Sequence, residues 1–302
     1  MTILITGSNG FVGNSIKNKL INSGFSVRSC NRSNVGNING ETDWSSMLSG
    51  VSAVIHCAAR VHIHKEHSKN ILKAYREVNV AGTLRLAKQS AYHAKRFIFL
   101  STIGVNGIQS RAPFTEQDIS QPHDAYSISK SEAELALEEF AKTTNMEIVI
   151  IRLPLVYGPR APGNFAKMVF WIRSGVPLPL GAVYNKRSLI AIDNLVSFLL
   201  LCADRTSSPN ATNQIFLLAD GEDLSTSSLL RKVALASSSP ARLFSVPSSL
   251  LYAAAHLIGK KSFASQLLGN LQVDSTKARI LLDWRPLVSV DEQLWKTFKQ
   301  VE

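Results

Sequence analysis

The sequence lacks any hydrophobic run long enough to cross a membrane, and it contains few cysteines. Its longest apolar stretches, residues 198–203 and 250–258, are well short of the roughly 20 residues that a membrane-spanning helix needs. The cysteines Cys30, Cys57 and Cys202 are odd in number and lack the close spacing of metal ligands, a pattern typical of free thiols in a reducing compartment. The N-terminus has no secretory signal pattern. We therefore expect a cytoplasmic protein without a transmembrane segment.

Acidic residues are scarce. The chain has 22 Asp and Glu against 33 Lys and Arg, a net charge of +11, and no acidic residue occurs in the first 40 positions. Such a balance suits nucleic acid, an acidic membrane surface or an anionic small molecule. The basic residues are scattered rather than grouped in a block, and several lie near segments assigned to the site below: Arg60, Arg152, Arg160, Arg173 and Arg187. This favours a phosphate-bearing ligand over nucleic acid.

A recognisable metal-binding motif is also absent. His62, His64 and His67 lie close together in the sequence, but no set of cysteines or carboxylates completes a ligand pattern with them. We therefore expect no metal. A loop over the site, in which Arg60 or His62 contacts substrate, is the preferred interpretation of this segment.

The first half of the chain alternates β-rich apolar runs with helix-patterned stretches. This pattern predicts an α/β fold with a doubly wound parallel sheet of the Rossmann type, covered by helices on both faces. The predicted strands are residues 3–6, 25–30, 53–57, 97–101 and 147–153, and the predicted helices are residues 11–22, 71–93, 125–143 and 164–173.

Prolines interrupt the alternation after residue 153, at positions 154, 159, 162, 177 and 179. Residues 189–203 and 214–218 then predict a return to the sheet before a mainly helical C-terminal part. We expect a dinucleotide-binding domain of residues 1–155 and about 186–220. A smaller, mainly helical substrate-binding domain is expected over about 156–185 and 221–302.

A glycine-rich turn follows the first predicted strand and opens the first predicted helix. Gly7 and Gly10 allow a tight turn and close approach to a pyrophosphate, and Gly13 allows helix and strand to pack closely. The helix N-terminus attracts the negative charge of the phosphates. The alternative is a turn that only needs positive φ. The position of the motif favours a dinucleotide site.

The second predicted strand ends without the acidic residue that usually bonds the ribose hydroxyls of NAD. It ends instead at Asn31 and Arg32, with Arg28 nearby. A guanidinium there can pair with a 2′-phosphate, so NADP(H) is favoured, and NAD(H) is the alternative if Arg32 simply faces solvent.

Tyr126 and Lys130 are spaced to lie on one face of a predicted helix. A tyrosine with its ordinary pKa of about 10 is a poor base at neutral pH, but a nearby ammonium is expected to lower that pKa. Tyr126 would then exchange a proton with a substrate alcohol or carbonyl. Ser101 and Thr102, at the end of a predicted strand, add hydroxyl groups to the same edge of the sheet.

The order of these elements resembles the extended short-chain dehydrogenase/reductase family. The resemblance extends over most of the chain: TGSNGFVG, HCAA, VN at positions 78 and 79, ST, YSISK, and RLP followed by VYGP. It implies that Thr102 holds the reacting oxygen, that Tyr126 is the acid/base, and that Lys130 tunes Tyr126 and binds the nicotinamide ribose.

The same resemblance implies a line of residues along the cofactor, with Leu153 and Pro154 near the nicotinamide. Asp43, taken to be near the end of the third strand, would face the adenine. The full set of expected cofactor contacts is Gly7, Asn9, Gly10, Phe11, Val12, Gly13, Asn31, Arg32, Asp43, Trp44, Cys57, Ala58, Ala59, Arg60, Asn79, Ser101, Tyr126, Lys130, Leu153 and Pro154.

The C-terminal half resembles the branch of the family that acts on UDP-sugars. This implies that Asn164 and Arg187 grip a diphosphate and that Leu180 lies near the base. Lys261, with Lys260, would stand in for an arginine that has no clear counterpart here.

Finer details resemble bacterial surface-polysaccharide enzymes. The favoured activity is NAD(P)H-dependent reduction of the C4 ketone of a UDP-4-keto-6-deoxy-N-acetylhexosamine, giving a UDP-N-acetylquinovosamine type of product. The alternative is 4-epimerisation of a UDP-hexose or UDP-N-acetylhexosamine with retained NAD. A non-catalytic dinucleotide sensor is the alternative of another class, and nucleic-acid binding ranks last. Relatives of this kind often pair, so a homodimer is expected.

Overall fold

The computed structural model describes residues 1–61 and 70–299, so His62, His64 and His67 lie outside the described residues. The strands in chain order are β1 (Thr2–Thr6), β2 (Ser26–Cys30), β3 (Ala53–His56), β4 (Arg96–Thr102), β5 (Glu147–Leu153), β6 (Leu155–Tyr157), β7 (Leu189–Ala191) and β8 (Gln214–Leu217). Within these ranges, six strands form one parallel sheet in the order β2-β1-β3-β4-β5-β8, and β6 pairs with β7 in a separate parallel pair. The predicted return to the sheet is therefore wrong for the strand in residues 189–203, because β7 pairs with β6 instead, and β8 does join the main sheet.

Helices cover the sheet and continue into the C-terminal part. They are α1 (Phe11–Asn22), α2 (Arg32–Val35), α3 (Ser45–Leu48), α4 (Ile71–Arg76), α5 (Thr83–Ser90), α6 (Ala125–Lys142), α7 (Gly163–Arg173), α8 (Ile192–Ala203), α9 (Thr226–Ala236), α10 (Ser248–Leu257), α11 (Lys261–Leu268), α12 (Thr276–Leu282) and α13 (Val290–Lys299). In the described part of the chain, no helix is both long and apolar enough to cross a membrane.

The Rossmann-type prediction is confirmed. The strands of the main sheet begin and end within one residue of their predicted bounds. They were recognisable because a strand buried on both faces reads as a continuous apolar run; all four residues of β3, for example, are buried. The chain passes from β1 to β2 on one side and then to β3 on the other. This reversal opens a crevice at the carboxyl ends of β1 and β3, where ligands bind in such sheets.

One predicted helix differs from the structure. Instead of a continuous helix over residues 71–93, a π-helical turn, Glu77–Gly82, separates α4 from α5. Gly82 packs tightly here, because a Cβ at this position would lie 2.4 Å from Cγ2 of Ile38. Apolar periodicity does not reveal one extra residue in a helical turn, and such turns often occur at functional sites.

The apolar layers on the two faces of the sheet together form the first core, and a second apolar core lies apart from them. It gathers residues from separated segments, including Phe165, Leu180, Leu230 and Leu294. The predicted boundaries of the two domains stay a prediction. We propose that this second core is the interior of the substrate-binding domain.

Candidate active site

The glycine turn is shaped by contacts that leave no room for side chains. Gly7 has φ +65, and a Cβ there would lie 2.8 Å from the backbone nitrogen of Ala58. A Cβ on Gly13 would lie 2.2 Å from the carbonyl oxygen of Gly7. Gly10 donates its N–H to that carbonyl at 2.9 Å and precedes α1 in an extended conformation. The backbone at the start of α1 is therefore open to a ligand, and its N–H groups favour a phosphate.

A cleft of about 850 Å³ opens beside this turn. Twelve of the expected cofactor residues line it: Gly7, Asn9, Gly10, Phe11, Val12, Gly13, Asn31, Arg32, Cys57, Ala58, Ala59 and Arg60. Sequence reasoning missed the loop Gly36, Asn37, Ile38 and Asn39, and also Val61, Glu77, Val78, Val156 and Pro162. Of these residues, Gly36 carries a signal in the sequence, because a glycine after a strand favours a turn. In the structure Gly36 has a positive φ.

Asn31 and Arg32 line the end of the cleft that is next to β2, where the ribose of a dinucleotide is expected. The Asn31 side chain accepts a hydrogen bond from the Ser33 N–H at 2.8 Å and caps α2, and Arg32 is exposed at the first position of that helix. Arg28 turns away, since its guanidinium donates to the carbonyl oxygens of Met47 and Ser49 at 3.1 and 2.6 Å. Arg32 is thus the arginine placed at this end of the cleft.

Asp43 and Trp44 are not among the residues that line the cleft. They lie between α2 and α3, ahead of β3, so the expected position near the end of the third strand is wrong. Asp43 is exposed, and its carboxylate accepts hydrogen bonds from the N–H and hydroxyl of Ser45, both at 3.0 Å, which lowers its pKa. Trp44 is fully buried in the core behind the sheet. The irregular chain between β2 and β3 has no periodicity from which these positions could be predicted.

Asn79 acts as a clamp rather than as part of the cleft wall. It is buried on the π-helical turn, where its carbonyl oxygen accepts from the Arg60 N–H at 2.8 Å and its amide donates to the Arg60 carbonyl at 3.0 Å. The amide also donates to Ser129 Oγ at 2.9 Å, and that hydroxyl donates to the Tyr126 carbonyl at 2.7 Å. Asn79 therefore ties the loop after β3 to the start of α6.

The expected catalytic residues come from the end of β4 and the start of α6. Thr102 ends β4, and its hydroxyl oxygen accepts from the Gly104 N–H at 3.1 Å. Asp124 caps α6 through the Ser127 N–H at 2.7 Å, which starts the helix just before Tyr126. Lys130 lies one turn further, is 2% exposed, and holds Nζ 4.0 Å from the centre of the Phe99 ring.

The electrostatics of this pair differ from expectation. Burial raises the pKa of Tyr126, and the charges of Asp124 and Tyr75 raise it further. Burial also lowers the pKa of Lys130 to about 7, against the opposing effect of Glu134. The expected lowering of the tyrosine pKa is therefore not found, because burial, which disfavours the phenolate, is the largest effect on Tyr126. Tyr126 keeps its proton at neutral pH in the protein alone.

A buried ion pair that the sequence did not reveal lies behind the catalytic residues. Glu134 accepts from Nε and Nη2 of Arg152 at 3.0 and 2.7 Å, and both side chains are almost fully buried. Ser101, expected to contact the cofactor, instead donates its hydroxyl hydrogen to Glu134. Arg152 also donates to Asn106 at 3.0 Å. The pair thus joins β4, β5, α6 and the segment after β4.

Leu153 and Pro154 follow Arg152 and are both buried. Leu153 pairs in register with Thr102, so it is next to the expected catalytic edge. The cleft wall near this edge is formed by Val156 rather than by either of them. Their expected contact with the nicotinamide stays a prediction.

The expected substrate residues are spread over the C-terminal part. Asn164 is exposed on α7 and faces a small cavity shared with Phe263 of α11, and Lys261 is exposed at the start of α11. Leu180 is buried in the second apolar core. Arg187 donates to the Gly269 carbonyl at 3.0 Å, and burial lowers its pKa to about 10. Their roles toward a substrate stay predictions.

Across residues 1–61 and 70–299, no group of three or more His, Cys, Asp or Glu side chains is placed to hold a metal ion.

Known proteins with similar sequences and folds were then compared with the chain. A model of the NAD dependent epimerase/dehydratase family matches residues 3–217. A UDP-glucose 4-epimerase of Vibrio cholerae is 41% identical, over 98% of this chain and 94% of its own length. An N-acetyl-alpha-D-glucosaminyl-diphospho-ditrans,octacis-undecaprenol 4-epimerase of Escherichia coli O157:H7 is 26% identical, over 76% of this chain and 71% of its own.

The fold was also compared with solved structures. The structure of a UDP-glucuronic acid 4-epimerase from Bacillus cereus in complex with NAD superposes with a TM-score of 0.77. It is 20% identical and covers 100% of this chain and 96% of its own. The two proteins share their fold.

Proposed function

The chain belongs to the NAD dependent epimerase/dehydratase family, and we propose that it inverts the C4 configuration of a UDP-linked hexose or N-acetylhexosamine. The observation that carries this proposal is the 41% identity, over almost the whole chain, to a UDP-glucose 4-epimerase. The 26% identical relative acts, by its name, on an N-acetylglucosaminyl substrate, which keeps the acetamido sugar in the proposal.

The cleft fits a dinucleotide on the geometry of its glycine turn. The glycine turn lies at the N-terminus of α1, where the helix stabilises a pyrophosphate. A Cβ at Gly7 or Gly13 would fill the space in this turn. Residues of the loop after β3, Ala58 to Arg60, would lie along the cofactor. A nicotinamide dinucleotide held by these residues would supply reversible hydride transfer at the sugar carbon.

The protein's own groups would control the proton and the oxygen at C4. Tyr126 takes the proton of the C4 hydroxyl during oxidation and returns it to the C4 oxygen after the ketone has turned over. Thr102 holds the same oxygen by a hydrogen bond. Lys130, one turn from Tyr126, stabilises the phenolate when it carries its proton.

The test combines the identity of the retained cofactor with turnover. Purified protein is denatured and the released dinucleotide is identified, and folded protein is incubated with UDP-glucose, UDP-galactose and their N-acetylated counterparts. We expect that the protein interconverts at least one pair of these UDP-sugars that differ at C4, in both directions, with NAD retained and no net oxidation. Tyr126→Phe should lower turnover by at least about 10²-fold while cofactor content is unchanged.

A matched control is Tyr92→Phe, since that tyrosine is 87% exposed on the surface. Its turnover should equal that of the wild type. If Tyr126→Phe kept full turnover, another group would be the acid/base, and if no C4 pair were interconverted, the epimerase proposal would be abandoned.

A second candidate is reduction of the C4 ketone of a UDP-4-keto-6-deoxy-N-acetylhexosamine. It is favoured by one observation: Arg32 lines the ribose end of the cleft, and the first 40 residues contain no acidic side chain to bond the ribose hydroxyls of NAD. A reductase consumes its cofactor, so exchangeable NADP(H) would suit it. Stoichiometric NADPH loss with the 4-keto sugar would support this candidate over the epimerase.

Cofactor preference is tested separately with Arg32→Ala. If Arg32 pairs with a 2′-phosphate, the variant should weaken NADPH binding by about tenfold or more and NADH binding much less. Lys19→Ala, which removes an exposed charge from α1, is the control. Equal losses for the two cofactors would remove the reason to favour NADP(H).

A cytoplasmic location and a homodimer belong to the same proposal and are tested by cell fractionation and by light scattering.

A further inference from the structure

Helix α10 is apolar on its outer as well as its inner side. Leu251, Tyr252 and Ala255 pack against the second apolar core. On the other side, Leu250 is 60% exposed and Leu257 is 85% exposed. Ala253 and Ala254 are also exposed and complete a stripe with the spacing of one helix face. An outer face of a surface helix is normally polar, so this stripe indicates contact with an apolar partner.

The apolar stripe continues into the turn after α10 and is joined by positive charge. Ile258 is 68% exposed, Phe263 on the neighbouring α11 is 42% exposed, and Lys260 and Lys261 between them are exposed. Residues 224–273 contain no aspartate or glutamate. The partner of this surface is therefore expected to be apolar and anionic together.

We propose that this lipid-binding surface, defined as Leu250, Ala253, Ala254, Leu257, Ile258 and Lys260, attaches the protein to the interface of an anionic lipid bilayer. The apolar side chains would enter the boundary between headgroups and acyl chains, where an amphipathic helix lies parallel to the membrane. Lys260 would approach the lipid phosphates, which attract each basic residue near the surface. The surface shares no residue with the dinucleotide cleft, and its apolar members Leu250, Ala253, Ala254, Leu257 and Ile258 have no expected role toward the substrate.

The charge and the apolar side chains of this surface argue against two other partners, a second copy of the chain and a nucleic acid. In a symmetric dimer the same patch of each subunit faces its counterpart, so Lys260 and Lys261 of two copies would meet with no acidic residue from segment 224–273 between them. Like charges brought together in this way oppose association. Nucleic acid offers phosphates but leaves Leu257 and Ile258 without an apolar partner.

The experiment is sedimentation of the full-length protein with vesicles of phosphatidylcholine, with and without phosphatidylglycerol. We expect binding to the anionic vesicles, weaker binding at high salt, and little binding to phosphatidylcholine alone. The double variant Leu257→Gln/Ile258→Gln should weaken binding by at least about tenfold, because it removes two apolar side chains from the contact. Lys260→Gln should weaken it by about fivefold.

The control replaces equally exposed apolar residues elsewhere: Ile280 is 78% exposed and Leu287 is 69% exposed. Ile280→Gln/Leu287→Gln should bind vesicles as the wild type does. Leu257→Gln/Ile258→Gln should keep its circular dichroism spectrum and its turnover without lipid. Failure of the wild type to bind anionic vesicles, or unchanged binding of the double variant, would overturn the proposal. A change from dimer to monomer in the double variant, seen by light scattering, would show that a second copy covers the surface instead.

Discussion

Removing the guanidinium of Arg152 should destabilise the protein far more than removing a surface arginine. In Arg152→Met the carboxylate of Glu134, which is 2% exposed, would lose all three of its hydrogen bonds from Arg152. Breaking a buried ion pair in this way costs about 3–5 kcal/mol. For a chain of 302 residues, the unfolding entropy is about 0.6 kcal/mol per kelvin, so Tm should fall by about 5–8 °C.

Denaturant unfolding, monitored by circular dichroism, measures this loss directly. The double variant Glu134→Gln/Arg152→Met should recover much of it, because the uncompensated charge is gone. Arg76→Met is the matched control: its bidentate pair with Glu132 is on the surface, where such pairs contribute about 1 kcal/mol or less. Equal losses for Arg152→Met and Arg76→Met, or a double variant no more stable than Arg152→Met, would refute the reasoning.

Two further predictions concern the cleft and its buried lysine. In Gly13→Ala the new Cβ would lie 2.2 Å from the Gly7 carbonyl oxygen, so the purified variant should contain little dinucleotide. The control is Gly40→Ala, whose nearest contact would be 3.3 Å and which should retain the dinucleotide. Normal dinucleotide content in Gly13→Ala would contradict the assignment of the glycine turn to cofactor binding. Because the folded-state pKa of Lys130 is lowered from 10.5 to about 7, the unfolded chain binds an extra proton between these values, and the free energy of unfolding should rise with pH across this window. In Lys130→Met the free energy of unfolding should lose this part of its rise with pH. If the free energies of unfolding of the wild type and Lys130→Met changed in parallel with pH, Lys130 would not be buried as described.

The N-terminal half of the fold was predictable because its signals are local. The inner strands of the main sheet, β1, β3, β4 and β5, are short apolar runs bounded by turns, and the glycine turn is fixed by residues within one β-turn-α unit. Twelve of the residues expected to contact a cofactor therefore line the cleft. The failures occur where local signals end. Asp43 and Trp44 lie in an irregular segment. The resemblance placed Asn79 along the cofactor, and no local signal indicated that its side chain forms hydrogen bonds with the backbone of Arg60.

The substrate side was less predictable, because its residues are positioned by contacts between distant segments. Arg187 meets Gly269, and the second apolar core joins parts of the chain that are far apart in sequence. The Glu134–Arg152 pair was missed for the same reason: Glu134 is one turn beyond Lys130 on α6, but its partner arrives on β5. Spacing on one helix predicts neighbours on that helix and says nothing about a strand behind it.

The burial of Tyr126 and Lys130 changes how their proton should be understood. A phenol beside a neutral amine and a phenolate beside an ammonium hold the same number of protons, so the pair must be treated as one titrating unit. Burial raises the pKa of Tyr126 and lowers that of Lys130, which favours the uncharged arrangement because it leaves no charge to desolvate. Glu134 opposes this for Lys130, but its carboxylate already accepts hydrogen bonds from Arg152 and Ser101. We infer that Tyr126 becomes a base by passing its proton toward Lys130, so Lys130→Met should impair oxidation at C4 at every pH rather than shift its optimum.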